Sequence, residues 1–329
     1  MQKTHRVIVV TGASAGVGRA TVRAFAREGA QIGLIARDTK GLHIAANEVN
    51  EAGGKGLAVP ADVADASQVE ASAARIEREL GPIDVWVNNA MTTIFGRVSD
   101  ITPEEYKRAT EVTYLGTVYG TMAALKRMLP RDEGTIVQVG SALAYRSIPL
   151  QAAYCGAKHA IAGFTDSLRT ELIHDKKNIH LTMVQLPAMN TPQFSWCRSK
   201  MLRQPQPVPP IFQPEVAAER IVWASHHKRR EVFVGAPTAI AIEGNKIAPG
   251  LADRYLGRTG FDSQQTGDDV PADRPDNLFE PVPGDFGAHG IFSRQAHTEA
   301  ATTWLAGHKG LTAVAGAAAI GAFAFVFRK

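Results

Sequence analysis

The chain has 329 residues, 45% hydrophobic and 21% charged, with a net charge of +4; this is globular composition, long enough for one large domain or two small ones. Its Lys and Arg residues are scattered apart from the run Lys228, Arg229, Arg230, with no aromatic-interleaved basic stripe, so nucleic-acid binding gains little support. Cys155 and Cys197 have neither metal-ligand spacing nor the makings of a disulfide framework, so no metal site is expected and a reducing cytoplasm fits.

Val7 to Val10 reads as a buried strand, too short for a signal peptide. It runs at once into Thr11-Gly12-Ala13-Ser14-Ala15-Gly16-Val17-Gly18, spaced Gly-x-x-x-Gly-x-Gly, and a helix from Ala20 to Glu28 follows. Glycines allow a tight turn and close approach of a ligand to the backbone, and the helix N-terminus offers free N–H groups to a pyrophosphate. A plain glycine turn is the alternative, but strand, loop and helix in this order open a βαβ unit and favour dinucleotide binding by Gly12, Ser14, Gly16, Val17 and Gly18.

Gln31 to Ala36 is a second strand, and the residues after it select the cofactor. An acidic residue there would repel a 2′-phosphate, whereas Arg37 offers a planar fork for one. The alternative is a solvated Arg37 with Asp38 capping the next helix; the reading favoured here is NADP(H).

The pattern continues with a helix over Gly41 to Ala52, a strand over Gly56 to Val59, a helix over Ser67 to Leu80 and a strand over Ile83 to Val87. A long helical stretch, Pro103 to Met128, precedes a strand over Thr135 to Val139, a helix over Tyr154 to His174 and a strand over His180 to Gln185. Pro214 opens a helix reaching His226, whose basic end at 228–230 suits a helix C-terminus, and Glu231 to Val234 is a last strand. Short apolar strands alternating with helices predict a parallel sheet covered on both faces, a doubly wound α/β (Rossmann-like) single domain.

Tyr154 and Lys158 stand four apart and share a face if helical. A phenol titrates near pH ~10, and a neighbouring ammonium is expected to lower that value. Ser141 upstream would hold a substrate oxygen where Tyr154 gives or takes a proton. Alone, the pair is better read as two surface neighbours; its setting is what favours chemistry.

The chain resembles the short-chain dehydrogenase/reductase family over roughly residues 5 to 235. The resemblance rests on Thr11-Gly12-x-x-x-Gly16-x-Gly18, Asp62-Val63, Asn88-Asn89-Ala90, Ser141, Tyr154-x-x-x-Lys158, and Pro187 with Thr191. It implies that the glycines shape the pyrophosphate site, Asp62 contacts the adenine with Val63 beside it, and Asn89 and Ala90 line the cofactor. It also implies Ser141 as the carbonyl-orienting residue, Tyr154 as acid/base, Lys158 on the nicotinamide ribose, and Pro187 and Thr191 flanking the nicotinamide. Three positions depart from the family: Thr113 where Asn is usual, Met91 where Gly follows Asn-Asn-Ala, and Ala188 after Pro187. The family Asn helps hold a water linking the lysine to solvent, so Thr113 joins the candidate catalytic residues, with a backbone carbonyl sharing the task. Homo-oligomers through the helices at 103–128 and 154–174 are a further implication.

The post-strand loops carry Ile94, Phe95, Leu143, Tyr145, Ile148, Met189, Phe194 and Trp196, then a proline-rich stretch from Gln204 to Phe212. They read equally as an apolar pocket for a lipophilic ketone or secondary alcohol and as packing. Thr238 to Leu256 adds one or two helices to a catalytic unit spanning 1–257. Residues 258–303 are an Asp-, Pro- and Gly-rich arm, which Leu278, Phe279, Phe286, Ile291 and Phe292 would pin down. In the final segment, 304–329, Leu311 to Phe327 is uncharged. As a helix it would span ~26 Å, slightly short of a ~30 Å hydrocarbon core. Trp304, Lys309, Arg328 and Lys329 flank it, and Ala313, Ala317 and Gly321 form a small-residue face. A membrane anchor is favoured over a buried tail or oligomer contact, placing the protein in the cytoplasm, attached to the cytoplasmic face of a membrane. The functional expectation is an NADP(H)-dependent oxidoreductase interconverting a small-molecule ketone or aldehyde and an alcohol. The alternative is a non-catalytic NADP(H)-binding sensor or scaffold; an epimerase or dehydratase has less support, since no extra acid/base pair is evident.

Overall fold

The computed structural model describes residues 5–271 and 273–299. Seven apolar segments form its central sheet: β1 (Val7–Thr11), β2 (Gln31–Ala36), β3 (Lys55–Pro60), β4 (Val85–Asn88), β5 (Gly134–Val139), β6 (Ile179–Gln185) and β7 (Glu231–Phe233). All neighbours pair in parallel, in the order β7-β6-β5-β4-β1-β2-β3.

Between strands run α1 (Gly16–Ala26), α2 (Thr39–Glu51), α3 (Ala66–Leu80), α4 (Pro103–Thr110), α5 (Gly116–Met128), α6 (Ala152–His174) and α7 (Pro214–His226). Successive strand side chains point to opposite faces, which divides the core in two. Ile8, Val10, Ile32, Leu34 and Val137 meet Phe25 of α1, Leu42 of α2 and Ile221 of α7 on one side. Val7, Val9, Ile35, Trp86 and Ile136 meet Ile76 of α3, Met128 of α5 and Leu168 of α6 on the other.

Helix starts follow their capping chemistry. Asp38 accepts from the amides of Lys40 and Gly41, and Asp65 from those of Ser67 and Gln68. Thr102 and Glu105 form a reciprocal capping box ahead of Pro103. Asn88 anchors a polar network inside the sheet: its Oδ1 accepts from Trp86 Nε1 at 2.8 Å, and its Nδ2 donates to Thr121 Oγ1 at 3.0 Å and Gln138 Oε1 at 2.9 Å.

The stretch 103–128 is helical throughout, as expected, but not uniformly α. A π turn over Glu111–Leu115 separates α4 from α5, a feature frequent at functional sites. Thr113 Oγ1 is drawn to the main chain of Thr92, and Gly116 lies so close to Val63 that an added Cβ would meet its Cγ2 at 2.7 Å. These tertiary contacts displace the regular turn.

Two helices, α8 (Ala236–Ile247) and α9 (Pro249–Thr259), complete the domain. The arm beyond them folds back: Gln265–Asp269 pairs antiparallel with Arg203–Pro205, and Ala296–His297 lies beside Ile211–Phe212. Only part of the expected apolar pinning holds. Leu278 (0% exposed) and Phe292 (6%) are buried, whereas Phe279 (44%), Phe286 (36%) and Ile291 (66%) are exposed. Leu278 fills a cluster with Ile94, Ala109 and Ala153, while Phe279 lies over the Arg198 guanidinium and Phe286 meets Trp196 edge-on.

The segment Leu311 to Phe327, with its expected membrane span, lies outside the described residues. Among the described residues no helix is long and apolar enough to cross a membrane.

Candidate active site

Strand order reverses between β1 and β4, and in such sheets ligands lie in the crevice beyond the strand ends at that point. The glycine loop sits there, held from the β4 side. Thr11 Oγ1 accepts from the amides of Asn89 and Ala90, both at 3.0 Å, and Asn89 Nδ2 donates to the carbonyls of Thr11 (3.0 Å) and Gly12 (3.3 Å). Gly12 has φ +66°, which few other residues adopt without strain. Buried Arg19 donates to the Ser14 carbonyl at 3.1 Å, and Glu48 grips its guanidinium at 2.7 and 2.9 Å.

Gly18 supports the loop from behind. A Cβ there would lie 2.0 Å from the Gly12 carbonyl oxygen and 2.6 Å from Asn89 Nδ2. Gly18→Ala is therefore expected to destabilise the protein by about 1–3 kcal/mol, roughly 2–4 °C in Tm per kcal/mol. Thermal unfolding checks this, and an unchanged Tm would contradict the contact.

Ser141 follows β5 directly and accepts from the Leu143 amide at 3.1 Å. Tyr154 and Lys158 lie on the first turns of α6 and face the same cavity as Ser141. Lys158 Nζ is 5.5 Å from the Tyr154 ring centroid and donates to the Val139 carbonyl at 2.6 Å. Burial lowers Lys158 from its ordinary value to about 8. Burial also raises Tyr154, and a hydrogen bond with Ser141 pulls only partly the other way. The shift runs against the expectation of a lysine-lowered phenol: the ammonium bonds to Val139, and desolvation outweighs the Ser141 bond.

Thr113 is fully buried behind the cavity wall. Its Oγ1 donates to the Thr92 carbonyl at 3.0 Å and accepts from the Thr92 amide at 3.1 Å, while its own carbonyl accepts from Thr117 Oγ1 at 3.0 Å. The side chain thus staples the π turn to the segment after β4, beside Met91, which lines the cavity.

One cavity of about 480 Å³ brings together Gly12, Ser14, Gly16, Val17, Arg37, Asp62, Val63, Asn89, Ala90, Ser141, Tyr154, Lys158, Pro187 and Thr191. Gly18 and Thr113 are not among its lining residues. At the end near β2, Arg37 donates from Nη1 to the Phe279 carbonyl at 2.6 Å and from Nη2 to the Asn277 carbonyl at 2.5 Å. Burial, then the neighbouring Arg108, lower Arg37 from its ordinary value. Asp62 takes Arg108 Nη2 at 2.5 Å on one oxygen and the Ala64 amide at 3.0 Å on the other. Arg108, placed here by α4, carried no local sequence signal; it also bonds the Leu278 carbonyl at 3.1 Å.

The other end is apolar. Leu143, Ile148, Met189, Phe194, Trp196 and the prolines at 207, 209 and 210 line it, as do Ala241 of α8 and Leu256 of α9, which the loop-based reading missed. Ile94, Phe95 and Tyr145 do not line it. The first two are fully buried in packing, and the Tyr145 hydroxyl donates to Glu231. Arg146 reaches this wall but is tied to Asn245 Oδ1 at 3.0 Å and Asp253 Oδ1 at 2.5 Å.

A doubly wound sheet with a glycine loop at its switch point, joined by one cavity to a Ser–Tyr–Lys group, defines an oxidoreductase of Rossmann architecture. The family model described as short chain dehydrogenase matches residues 6–201, and the chain belongs to that family. It is 34% identical over 275 residues to the Bacillus subtilis (strain 168) oxidoreductase YxnA, covering 83% of this chain and 75% of that protein. It is 29% identical over 263 residues to the Bos taurus dehydrogenase/reductase SDR family member 7B, covering 77% and 80%. Among solved structures, an alcohol dehydrogenase from the archaeon Thermococcus sibiricus, complexed with 5-hydroxy-NADP, superposes with a TM-score of 0.60 at 26% identity, over 70% of this chain and 95% of that one. A short-chain dehydrogenase from Streptomyces avermitilis shares the fold, with a TM-score of 0.65 at 23% identity over 80% of this chain and 100% of that one.

Proposed function

We propose that the protein is an NADP(H)-dependent reductase or dehydrogenase that interconverts a lipophilic ketone or aldehyde and its alcohol. The observation that carries the reading is the meeting of a half-buried Tyr154, Ser141 and Lys158 with the glycine loop and Arg37 in one cavity. The residues present fit a dinucleotide. Gly12 holds a positive φ that keeps the backbone open, Ser14, Gly16 and Val17 stand at the N-terminus of α1, and Arg37 and Arg108 form a basic corner for a 2′-phosphate. Asn89, Ala90, Asp62 and Val63 would line the adenine and ribose side, and Pro187 and Thr191 the nicotinamide side. The 5-hydroxy-NADP in the archaeal alcohol dehydrogenase supports the same choice of cofactor.

NADPH, when bound, supplies the hydride, and NADP+ accepts it in the reverse direction. In reduction, Ser141 Oγ donates to the carbonyl oxygen and holds it against Tyr154. Tyr154 Oη then gives its proton as negative charge develops on that oxygen. A phenol raised by burial carries its proton throughout the neutral range, as an acid must. Lys158, which faces the same cavity 5.5 Å from the Tyr154 ring centroid, would hold the nicotinamide ribose. Thr113 supports this wall through Thr92. The apolar lining from Leu143 to Trp196 excludes water and favours lipophilic substrates.

The test is turnover by the purified protein with NADPH and with NADH, across apolar ketones and small polar carbonyls. Turnover of apolar ketones with NADPH supports the reading. Turnover confined to small polar carbonyls rejects the substrate class, and binding without any turnover favours a sensor. Arg37→Ala is expected to raise the KM for NADPH roughly 10- to 100-fold, from the loss of a charged hydrogen bond, and to leave NADH nearly unaffected. An equal loss for both cofactors would rule out the 2′-phosphate role.

A further inference from the structure

Residues 276–292 cross the mouth of the cleft and are held at both ends. At the first end Leu278 is fully buried, and Asp276 pairs with Arg198 at 2.8 Å. At the second end Phe292 is buried, the amides of Gly290 and Phe292 bond to Asn190 at 3.1 and 3.0 Å, and His289 pairs with Glu215 at 3.0 Å.

The span between these anchors lies over the cavity. Pro281, Val282, Gly284 and Phe286 line it from outside the sheet. The Gly287 carbonyl accepts from the Gly16 amide at 3.0 Å, so the span touches the phosphate loop itself. The carbonyls of Asn277 and Phe279 occupy both arms of the Arg37 fork. The donors that would bind the two phosphate regions of a dinucleotide are thus the donors that hold the span down.

We propose that this span is a strap gating the dinucleotide site: the cofactor lies beneath it and leaves only when the strap lifts between Leu278 and Phe292. The proposal rests on the dinucleotide reading above. A 2′-phosphate and the strap carbonyls compete for Arg37, so entry of the cofactor loosens the strap beside its Leu278 anchor. The anchors use none of these donors and return the strap over the bound cofactor. Release then requires breaking the strap's contacts as well as the cofactor's own, which makes dissociation slow.

The experiment is stopped-flow fluorescence of NADPH release into excess NADP+, on the full chain. Inserting four glycines between Pro283 and Gly284 slackens the strap and is expected to speed release at least tenfold. Asp276→Ala with His289→Ala removes the two anchor ion pairs without lengthening the strap, and is expected to speed release several-fold while single-turnover reduction stays unchanged. The double variant carries the test should the insertion impair folding. Release rates within twofold of the intact protein in the folded variants would overturn the strap and leave the cofactor reading standing. An intact protein that binds neither NADPH nor NADH would overturn both.

Discussion

Tyr154→Phe should lower kcat by about 10²- to 10⁴-fold while NADPH binding stays within about twofold. The substitution removes one oxygen atom from a ring whose position is set by α6, so the cavity keeps its shape. The lost group is the only phenol among the described residues that shares this cavity with Ser141 and Lys158. In the proposed reaction its proton goes to the developing alcohol. Because burial raises Tyr154, wild-type reduction should show no loss of activity from phenol ionisation anywhere near neutral pH. Cofactor titration and steady-state rates on one preparation check this. A variant retaining more than a tenth of wild-type kcat would remove Tyr154 from the acid role.

Lys158→Met should lower kcat by roughly 10²- to 10³-fold and, against the usual trend for core substitutions, stabilise the fold at pH 7. Lys158 is 3% exposed, and its only hydrogen bond among the described residues is to the Val139 carbonyl. Burial lowers it from 10.5 to about 8. Between those values the unfolded chain binds a proton that the folded chain has released, so stability rises with pH across that window. Below about pH 8 both states are charged and the folded state bears the full desolvation cost, on the order of 3 kcal/mol. Losing the Val139 bond offsets roughly 1 kcal/mol of the gain. Unfolding followed from pH 7 to 10 should show a rising contribution in wild type that the variant lacks. A variant less stable than wild type at pH 7 would contradict the buried-charge account. A buried amine kept at such a cost is better explained by chemistry than by packing.

These two residues also mark how far reading the chain could go. Their spacing on a helix was legible, because four residues on a helix share a face whatever surrounds them. The direction of the Tyr154 shift was not, because it depends on how much protein surrounds the ring and on where the Lys158 ammonium finds its acceptor. Arg37 shows the same division. Its place after β2 followed from strand periodicity, but its partners, the carbonyls of Asn277 and Phe279, come from a segment some 240 residues away. Ile94 and Phe95 looked like pocket residues by position and apolarity; only packing distinguishes a side chain facing a cavity from one filling it.

The sequence by itself determined the alternating strands and helices, the glycine loop and the helix caps, since period-2 and period-3.6 patterns, positive-φ glycines and capping side chains act within a few residues. The tertiary structure alone decided the π turn at 111–115, the Arg108–Asp62 corner, the upward shift of Tyr154 and the return of the arm over the cleft. Each of these arises from groups far apart in the chain whose burial and hydrogen-bond partners exist only once the sheet has assembled.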